Sequence, residues 1–389
     1  MKLKLNKKFF IQLLIFLFLA GATYFGFVPL QSAIQKKLSS LKSEAVHLIE
    51  KNLGRKISYG KISPSLFRNI KIQDLVIYKD KNGSRPLAEI DQLRVFYKIF
   101  KLLSDDPAAA FYEVRIENSS FNIDSKNDRD LIELVTDLVR SAPETDSLAI
   151  TFSGRNLELF YTQAAGSMHV DRLFFSLEPS DADKLNISLR GKLEGNAAER
   201  EEDIPSLVTQ LRGIEQVNTS IRLSGEVSSI FDRANLQVSF DDFQTNLFSL
   251  QEQNFLVLYE NRRIDVQKIK DKAPIDISLS LDLAEKWAKL SLLTEDFVPN
   301  RYITLRKDFP SVTPWLDSKV SGELSGTYFW EEKAVAYSAD VLVYAENEVL
   351  PLPATVKLKA EGNEEGADIE LAEVSTENGE LAYTGRIDF

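Results

Sequence analysis

The chain has 389 residues, of which 44% are hydrophobic, 27% charged and 10% aromatic, so disordered and collagen-like classes are excluded. The formal net charge is -11, and four lysines precede residue 9, which argues against nucleic-acid binding because phosphate neutralisation needs concentrated Lys and Arg. The absence of cysteine excludes disulfides, thiolate metal sites and a cysteine nucleophile, and two histidines leave little material for histidine-based catalysis. We therefore expect no enzyme activity, no cofactor and no metal.

The first predicted element is a transmembrane helix. No charged residue occurs from Phe9 to Leu30, a stretch long enough to cross a hydrocarbon core of about 30 Å as a helix. Four lysines precede it, so the positive-inside rule places the N-terminus in the cytoplasm. A cleaved secretory signal ending near Ala20–Ala22 is the alternative, but the apolar stretch continues past that point to Val28. Both interpretations export the rest of the chain.

A juxtamembrane helix is predicted next, because apolar residues recur at intervals of three and four, and Gly54 then provides a helix stop. The apolar stripe consists of Ile34, Leu38, Leu41, Ala45, Leu48, Ile49 and Leu53.

The segment that follows this helix has a recognisable order. Leu53, Gly54 and Arg55 precede a short apolar stretch at Ile57–Ile62, and a second stretch runs from Ile70 to Ile77 with apolar residues at every other position at its start. This order of anchor, helix, Leu-Gly-Arg turn and two strands resembles the start of the AsmA-like and TamB-like envelope proteins. The match extends as far as about residue 100.

Beyond residue 100, apolar and polar residues alternate, which is typical of strands with one buried and one solvated face. Leu185–Leu193, Ile221–Val227, Leu236–Phe240 and Ile275–Leu283 show this pattern, and it continues to Phe389. An antiparallel sheet is the predicted arrangement. Glycine recurs inside the pattern, which suggests repeated bends or close backbone approaches, or else unrelated strand glycines; the positions are Gly191, Gly225, Gly322 and Gly385.

The predicted fold class is mainly β: an N-terminal transmembrane helix and a juxtamembrane helix, then an elongated, curved antiparallel sheet with a few short helices. Helices are predicted at 131–139 and 205–211, and surface loops at 195–203 and 361–366. We divide the chain into a cytoplasmic stub and anchor (1–30), an N-terminal α/β region (31–150) and an extended β-rich region (151–389) that is expected to continue beyond Phe389.

Catalytic motifs are not found in the sequence. Ser39 and Lys42 have the S-x-x-K spacing without its companion motifs. Asp124, Asp128 and Asp130 form an acidic cluster, but Lys126 stands where a calcium loop needs an oxygen ligand.

The resemblance implies a function. AsmA-like and TamB-like proteins hold phospholipid acyl chains in a hydrophobic β-groove that carries lipid between the inner and outer membranes. Here this predicts a single-pass inner-membrane protein with most of its chain in the periplasm. The candidate groove-lining residues are Ile187, Leu189, Leu193, Ile221, Leu223, Val227, Leu236, Val238, Phe240, Ile277, Leu279 and Leu281.

Two alternatives stay open. One is a TamB-like assembly factor that acts through protein contacts with a barrel-shaped partner in the outer membrane, although the resemblance assigns that contact to a C-terminal module that we do not expect in these 389 residues. The other is an anchored β-sandwich scaffold, since an ordinary sandwich core would give the same apolar residues. A second sheet, closure of the sheet on itself, or lipid would each cover the apolar face.

Overall fold

The computed structural model describes residues 55–64, 69–80, 83–98, 101, 110–129, 150–163, 166–181, 183–197, 215–228, 231–269, 273–306, 315–345 and 353–388. The predicted anchor, the juxtamembrane helix and the helices at 131–139 and 205–211 lie outside these residues. Among the residues described, no helix has the length and apolar character needed to span a bilayer. The chain divides into two compact units, Met1–Ser119 and Ser120–Phe389.

Four strands of the first unit form an antiparallel ladder. They are β1 (Ile57–Ser58), β2 (Ile62–Pro64), β3 (Asn69–Tyr78) and β4 (Pro86–Tyr97). β1 and β2 both pair with β3, and β3 pairs with β4. Leu87, Ile90 and Tyr97 are the most buried large side chains of this ladder. β5 (Phe111–Asp124) crosses the boundary between the units.

Arg55, the described residue of the Leu-Gly-Arg sequence, is fixed to the first ladder. Arg55 is 4% exposed and donates a hydrogen bond from Nη1 to the carbonyl oxygen of Lys79, at 3.0 Å. Because Lys79 directly follows β3, this bond ties the entry of β1 to the end of the strand with which it pairs.

The second unit is an antiparallel meander. Its first strands are β6 (Thr151–Gln163), β7 (Gly166–Asp181), β8 (Lys184–Ala197), β9 (Gln216–Ser228), β10 (Arg233–Thr245), β11 (Phe248–Leu250), β12 (Gln253–Glu260), β13 (Arg263–Lys268) and β14 (Ile275–Asp282). The remaining strands are β15 (Trp287–Phe297), β16 (Ile303–Leu305), β17 (Lys319–Phe329), β18 (Ala334–Ala345), β19 (Ala354–Asn363), β20 (Gly366–Thr376) and β21 (Gly379–Asp388). One turn of 3-10 helix, Pro299–Arg301, precedes β16.

Each strand of the meander pairs with the next, except around β11 and around β16. β10 pairs with β12 along its first half and with β11 near its end, and β15 pairs with β17. β11 and β16, which are distant in the chain, pair with each other. The prediction of a mainly β, antiparallel fold is therefore confirmed for the described residues.

Strands extend into both predicted loops. β8 continues to Ala197, so Gly195, Asn196 and Ala197 belong to a strand and not to the predicted loop at 195–203. The predicted loop at 361–366 is a tight hairpin, because β19 ends at Asn363 and β20 begins at Gly366. Small and polar residues are typical of loops, which is why the sequence predicted loops here. In both places, backbone hydrogen bonds to the neighbouring strand keep these residues in the ladder.

Two of the recurrent glycines mark close backbone approaches. Gly225 has φ 156° and Gly322 has φ 139°, and a Cβ built on either would lie 2.1 Å from a carbonyl oxygen of the neighbouring strand. No L side chain fits there, so glycine is required at both positions.

Candidate functional site

The strand registers of the second unit define one continuous apolar surface. Residues that are direct partners in a ladder point to the same side of the sheet. Leu189 of β8 is paired with Phe175 of β7 and Leu223 of β9, and Leu223 is paired with Val238 of β10. We call the side of the sheet that carries these residues the apolar face.

The register extends this face to the last strand. Val238 is paired with Phe255 of β12, and Val257, on the same side of β12, begins a row of direct partners that runs through Val266, Leu279, Leu290 and Gly326 on β13, β14, β15 and β17. Gly322, on the same side of β17 as Gly326, is paired with Val341 of β18, and the row continues through Leu358 of β19, Ala372 of β20 and Tyr383 of β21. The apolar face thus crosses fourteen strands from β6 to β21, with β11 and β16 as a side ladder.

All twelve residues predicted as groove lining lie on the apolar face. β8 carries Ile187, Leu189 and Leu193; β9 carries Ile221, Leu223 and Val227; β10 carries Leu236, Val238 and Phe240; β14 carries Ile277, Leu279 and Leu281. Val227 is buried and the other eleven are of intermediate exposure. Sequence alternation therefore identified members of one surface, although they come from four strands.

The sequence analysis missed the strands that join β10 to β14. β12 contains five consecutive apolar residues, Phe255, Leu256, Val257, Leu258 and Tyr259. Because apolar and polar residues do not alternate here, the sequence does not show which of these side chains point to the apolar face. The register places Phe255, Val257 and Tyr259 on the apolar face, with Phe240 and Phe255 in an edge-to-face contact at 6.0 Å between ring centroids. A run that is apolar throughout can be assigned to faces only from its ladder partners.

Several large apolar side chains on this face are more exposed in the later strands than Leu185 is in β8. Leu185 is 1% exposed, whereas Leu290 is 50%, Leu324 is 43% and Leu381 is 74% exposed. Every described strand of this unit belongs to the same sheet, so the described residues contain no separate second sheet that covers the face. Exposed aliphatic surface of this extent is a mark of an interaction site.

The opposite face of the sheet carries more polar and charged side chains, although exposed leucines such as Leu258, Leu293 and Leu342 also lie on it. Ser278, Ser291, Ser325 and Ser338 form a cross-strand row, and the Oγ atoms of Ser325 and Ser338 are 2.8 Å apart. Ion pairs join adjacent strands on this face, such as Lys357 with Glu373 at 3.2 Å. One side of the sheet is therefore predominantly apolar, and the other combines polar, charged and some aliphatic side chains.

Buried threonines on the apolar face are satisfied by backbone groups. Thr219 is 1% exposed and donates a hydrogen bond to the carbonyl oxygen of Asp241 at 2.9 Å. Thr294 is 8% exposed and donates to the carbonyl oxygen of Val320 at 2.6 Å. Both bonds lie at ladder irregularities, so the hydroxyls satisfy backbone acceptors there without interrupting the apolar character of the surface.

The side ladder extends the apolar face beyond the ends of the shorter strands. Phe243 of β10 stacks on Phe248 of β11 at 6.3 Å between ring centroids, and β11 pairs with β16. Lys268, the last residue of β13, lies on the same face opposite Phe255 and is 3% exposed. A basic side chain is thus buried at this end of the face.

The acidic cluster of the sequence analysis forms a local turn. The Asp128 carboxylate accepts a hydrogen bond from the backbone N–H of Asp124 at 2.9 Å, and Asp124 accepts from the backbone N–H groups of Lys126 and Asn127. Asp130 lies outside the described residues. Within the part of the chain that the structure describes, no group of three or more His, Cys, Asp and Glu residues is arranged to hold a metal ion.

Comparison with known proteins gives one match. The family model TP_0324_N, described as an N-terminal domain, matches residues 35–197, a region that ends with β8. No curated protein and no solved structure matches the chain.

Proposed function

We propose that this protein shelters phospholipid acyl chains on the apolar face of its second unit and carries them between the inner and outer membranes. The observation that supports this proposal is the continuity of that face across fourteen strands, together with the exposure of its large aliphatic side chains. At about 4.8 Å between neighbouring strands, the face measures roughly 60 Å along the sheet.

Acyl chains fit this surface for a physical reason. Each methylene group that moves from water onto an apolar surface gains about 0.8 kcal/mol, and exposed leucines such as Leu290 and Leu324 lose contact with water at the same time. Headgroups remain solvated at the rims, where the strands end. The process breaks no bond, so it needs no catalytic residue.

The membrane location is part of the same proposal. Residues 9–30 anchor the chain in the inner membrane with the N-terminus in the cytoplasm, and the remaining chain lies in the periplasm. Protease added to spheroplasts should degrade the chain. Protection of the chain in intact spheroplasts, with cleavage only after lysis, would contradict this orientation.

The lipid-binding proposal is tested with the full chain purified in detergent and then transferred into an amphipol, a polymer that contains no phosphorus. Leu223→Asp places a carboxylate on the apolar face, and Ser224→Asp places the same group on the opposite face one residue away. Phospholipid that copurifies is measured by phosphorus assay. We expect the Leu223→Asp variant to carry at least about fivefold less phospholipid per chain than the unsubstituted protein, because a carboxylate is costly to bury against acyl chains.

The Ser224→Asp variant should retain the lipid content of the unsubstituted chain, and far-UV circular dichroism shows whether both variants are folded. A folded chain that carries no phospholipid would sink the proposal and favour the anchored scaffold. Equal lipid content in the two folded variants would show that lipid binds elsewhere.

A further inference from the structure

A cavity interrupts the apolar face at one end of β6, β7, β8 and β9. Its volume is about 300 Å³. Tyr161, Met168, Gly195 and Val217 are successive ladder partners across these four strands, so they form one row on the apolar face. Gly195 is the small member of this row, and we call this space the Gly195 cavity.

A second row completes the floor of the Gly195 cavity. Gln163, Gly166 and Ala197 are ladder partners on β6, β7 and β8, and the backbone N–H of Ala197 donates to the carbonyl oxygen of Glu215 at 2.9 Å. Small residues in the middle of both rows leave the space open, with Tyr161 and Met168 on one side and Val217 on the other. A Cβ built on Gly195 would meet no atom closer than 3.9 Å, so there is open space at this position that a larger side chain could fill.

The lining of the Gly195 cavity favours a cation. None of its ten described residues is Lys or Arg, while Glu215 and Gln163, which lie on the same side of their strands as Val217 and Tyr161, supply a carboxylate and an amide oxygen. The aromatic ring of Tyr161 offers the face that attracts ammonium groups. A phosphate group would meet a carboxylate here without a described basic partner, whereas an ammonium group would be stabilised.

We propose that the Gly195 cavity binds the ammonium group of a zwitterionic phospholipid headgroup. This inference rests on the proposed function, since it requires that the acyl chains lie on the apolar face. The next row inward is Leu159, Val170, Leu193 and Thr219, which leads from the cavity onto that face. One lipid can thus have its ammonium group in the cavity and its acyl chains on β7, β8 and β9.

The experiment compares two phospholipids with identical acyl chains, phosphatidylethanolamine and phosphatidylglycerol, as probes for the full chain. Lipid bound from equimolar mixed micelles is quantified by mass spectrometry. We expect phosphatidylethanolamine to be preferred by about tenfold, the ratio that one good ammonium contact supports.

Three variants make the test specific. Gly195→Leu fills the cavity, and Glu215→Gln removes its carboxylate; both should reduce the preference to near unity. Gly326→Leu is the matched control, because Gly326 also lies on the apolar face with open space above it and is far from the cavity in the register. It should keep the preference of the unsubstituted chain.

The outcomes separate this inference from the proposed function. If the unsubstituted chain binds both lipids equally, or if Gly195→Leu keeps the preference, the cavity is not a headgroup site although lipid binding stands. If neither lipid binds, the proposed function fails and this inference fails with it.

Discussion

Gly225 and Gly322, which lie on different pairs of strands, meet their neighbours in the same geometry. Each would place a Cβ 2.1 Å from the carbonyl oxygen and 2.8 Å from the Cα of the facing strand, at Asn235 and Leu236 in one case and at Asp340 and Val341 in the other. The same local solution therefore recurs on the apolar face at two distant positions of the sheet.

Alanine at either glycine should destabilise the sheet. Gly225→Ala and Gly322→Ala are each expected to lower the free energy of unfolding by about 2 kcal/mol or more, because the added Cβ meets backbone and the positive φ is strained. Urea unfolding followed by circular dichroism measures this. Gly326→Ala, with open space around it, is the control and should change stability by less than about 0.5 kcal/mol. Equal midpoints for all three would contradict the close approach.

Leucines on the same face should differ in their contribution to stability. Leu185 is 1% exposed and Leu290 is 50% exposed. Leu185→Ala should cost about 2 to 5 kcal/mol, whereas Leu290→Ala should cost less than about 1 kcal/mol. Denaturant titration of both variants without lipid tests this. A large loss of unfolding free energy for Leu290→Ala would contradict the exposure of Leu290 and would mean that this part of the apolar face is covered.

Asp265 should make stability depend on pH. Burial acts to raise the pKa of its carboxyl, but hydrogen bonds from Ser280 and Arg263 and the guanidinium charge outweigh burial and lower the pKa. Ser280 Oγ donates at 2.6 Å and Arg263 Nε lies 3.0 Å away. The interaction therefore stabilises the fold above the ordinary carboxyl pKa of about 3.9, and its contribution is lost as the pH falls through the lowered value.

Asp265→Asn is accordingly expected to cost about 0.5 kcal/mol at pH 7, a small value because the site is partly solvated and screened. The difference from the unsubstituted chain should narrow below the ordinary carboxyl pKa and disappear in stronger acid. Urea titrations across this range measure it. Asp276→Asn, on the same face of the next strand, is the control. A stability difference between Asp265→Asn and the unsubstituted chain that stays the same at every pH would contradict the role of the Asp265 carboxylate.

Arg55 should stabilise the first unit. Replacing it with alanine removes the hydrogen bond to Lys79 and the packing of a buried side chain, with an expected loss of about 2 kcal/mol. Hydrogen exchange of the β3 and β4 amides reports this loss locally. Lys61→Ala changes an exposed residue of the same region and should leave exchange unaltered. Comparable acceleration in both variants would argue against a specific role for Arg55.

The apolar face was predictable wherever the period-two pattern was unbroken. β8 shows this, since Ile187, Leu189 and Leu193 could be assigned to one face from spacing alone. The pattern fails at β-bulges. An extra residue in one strand reverses, for all residues beyond it, which side of the sheet the odd and even positions face. In β10 the register shifts between Asp241 and Gln244, so Phe240 and Phe243 share a face despite a spacing of three.

The Gly195 cavity was not predictable from a single sequence. It depends on the registers of three ladders, which bring Tyr161, Met168, Gly195 and Val217 into one row. Small and polar residues at 195–197 suggested a loop, since nothing in the local sequence reveals that β7 and β9 extend beside them. Register is set by pairing across strands and is therefore absent from local sequence patterns.

The meander also bears on how the second unit folds. Nearly every strand pairs with its immediate neighbour in the chain, so most contacts close short loops and carry a small entropic cost. Structure can then propagate hairpin by hairpin as the chain emerges, without waiting for distant segments. The pairing of β11 with β16 is the exception, because four intervening strands must be made before it can form. We expect this side ladder to be the last part of its region to become ordered.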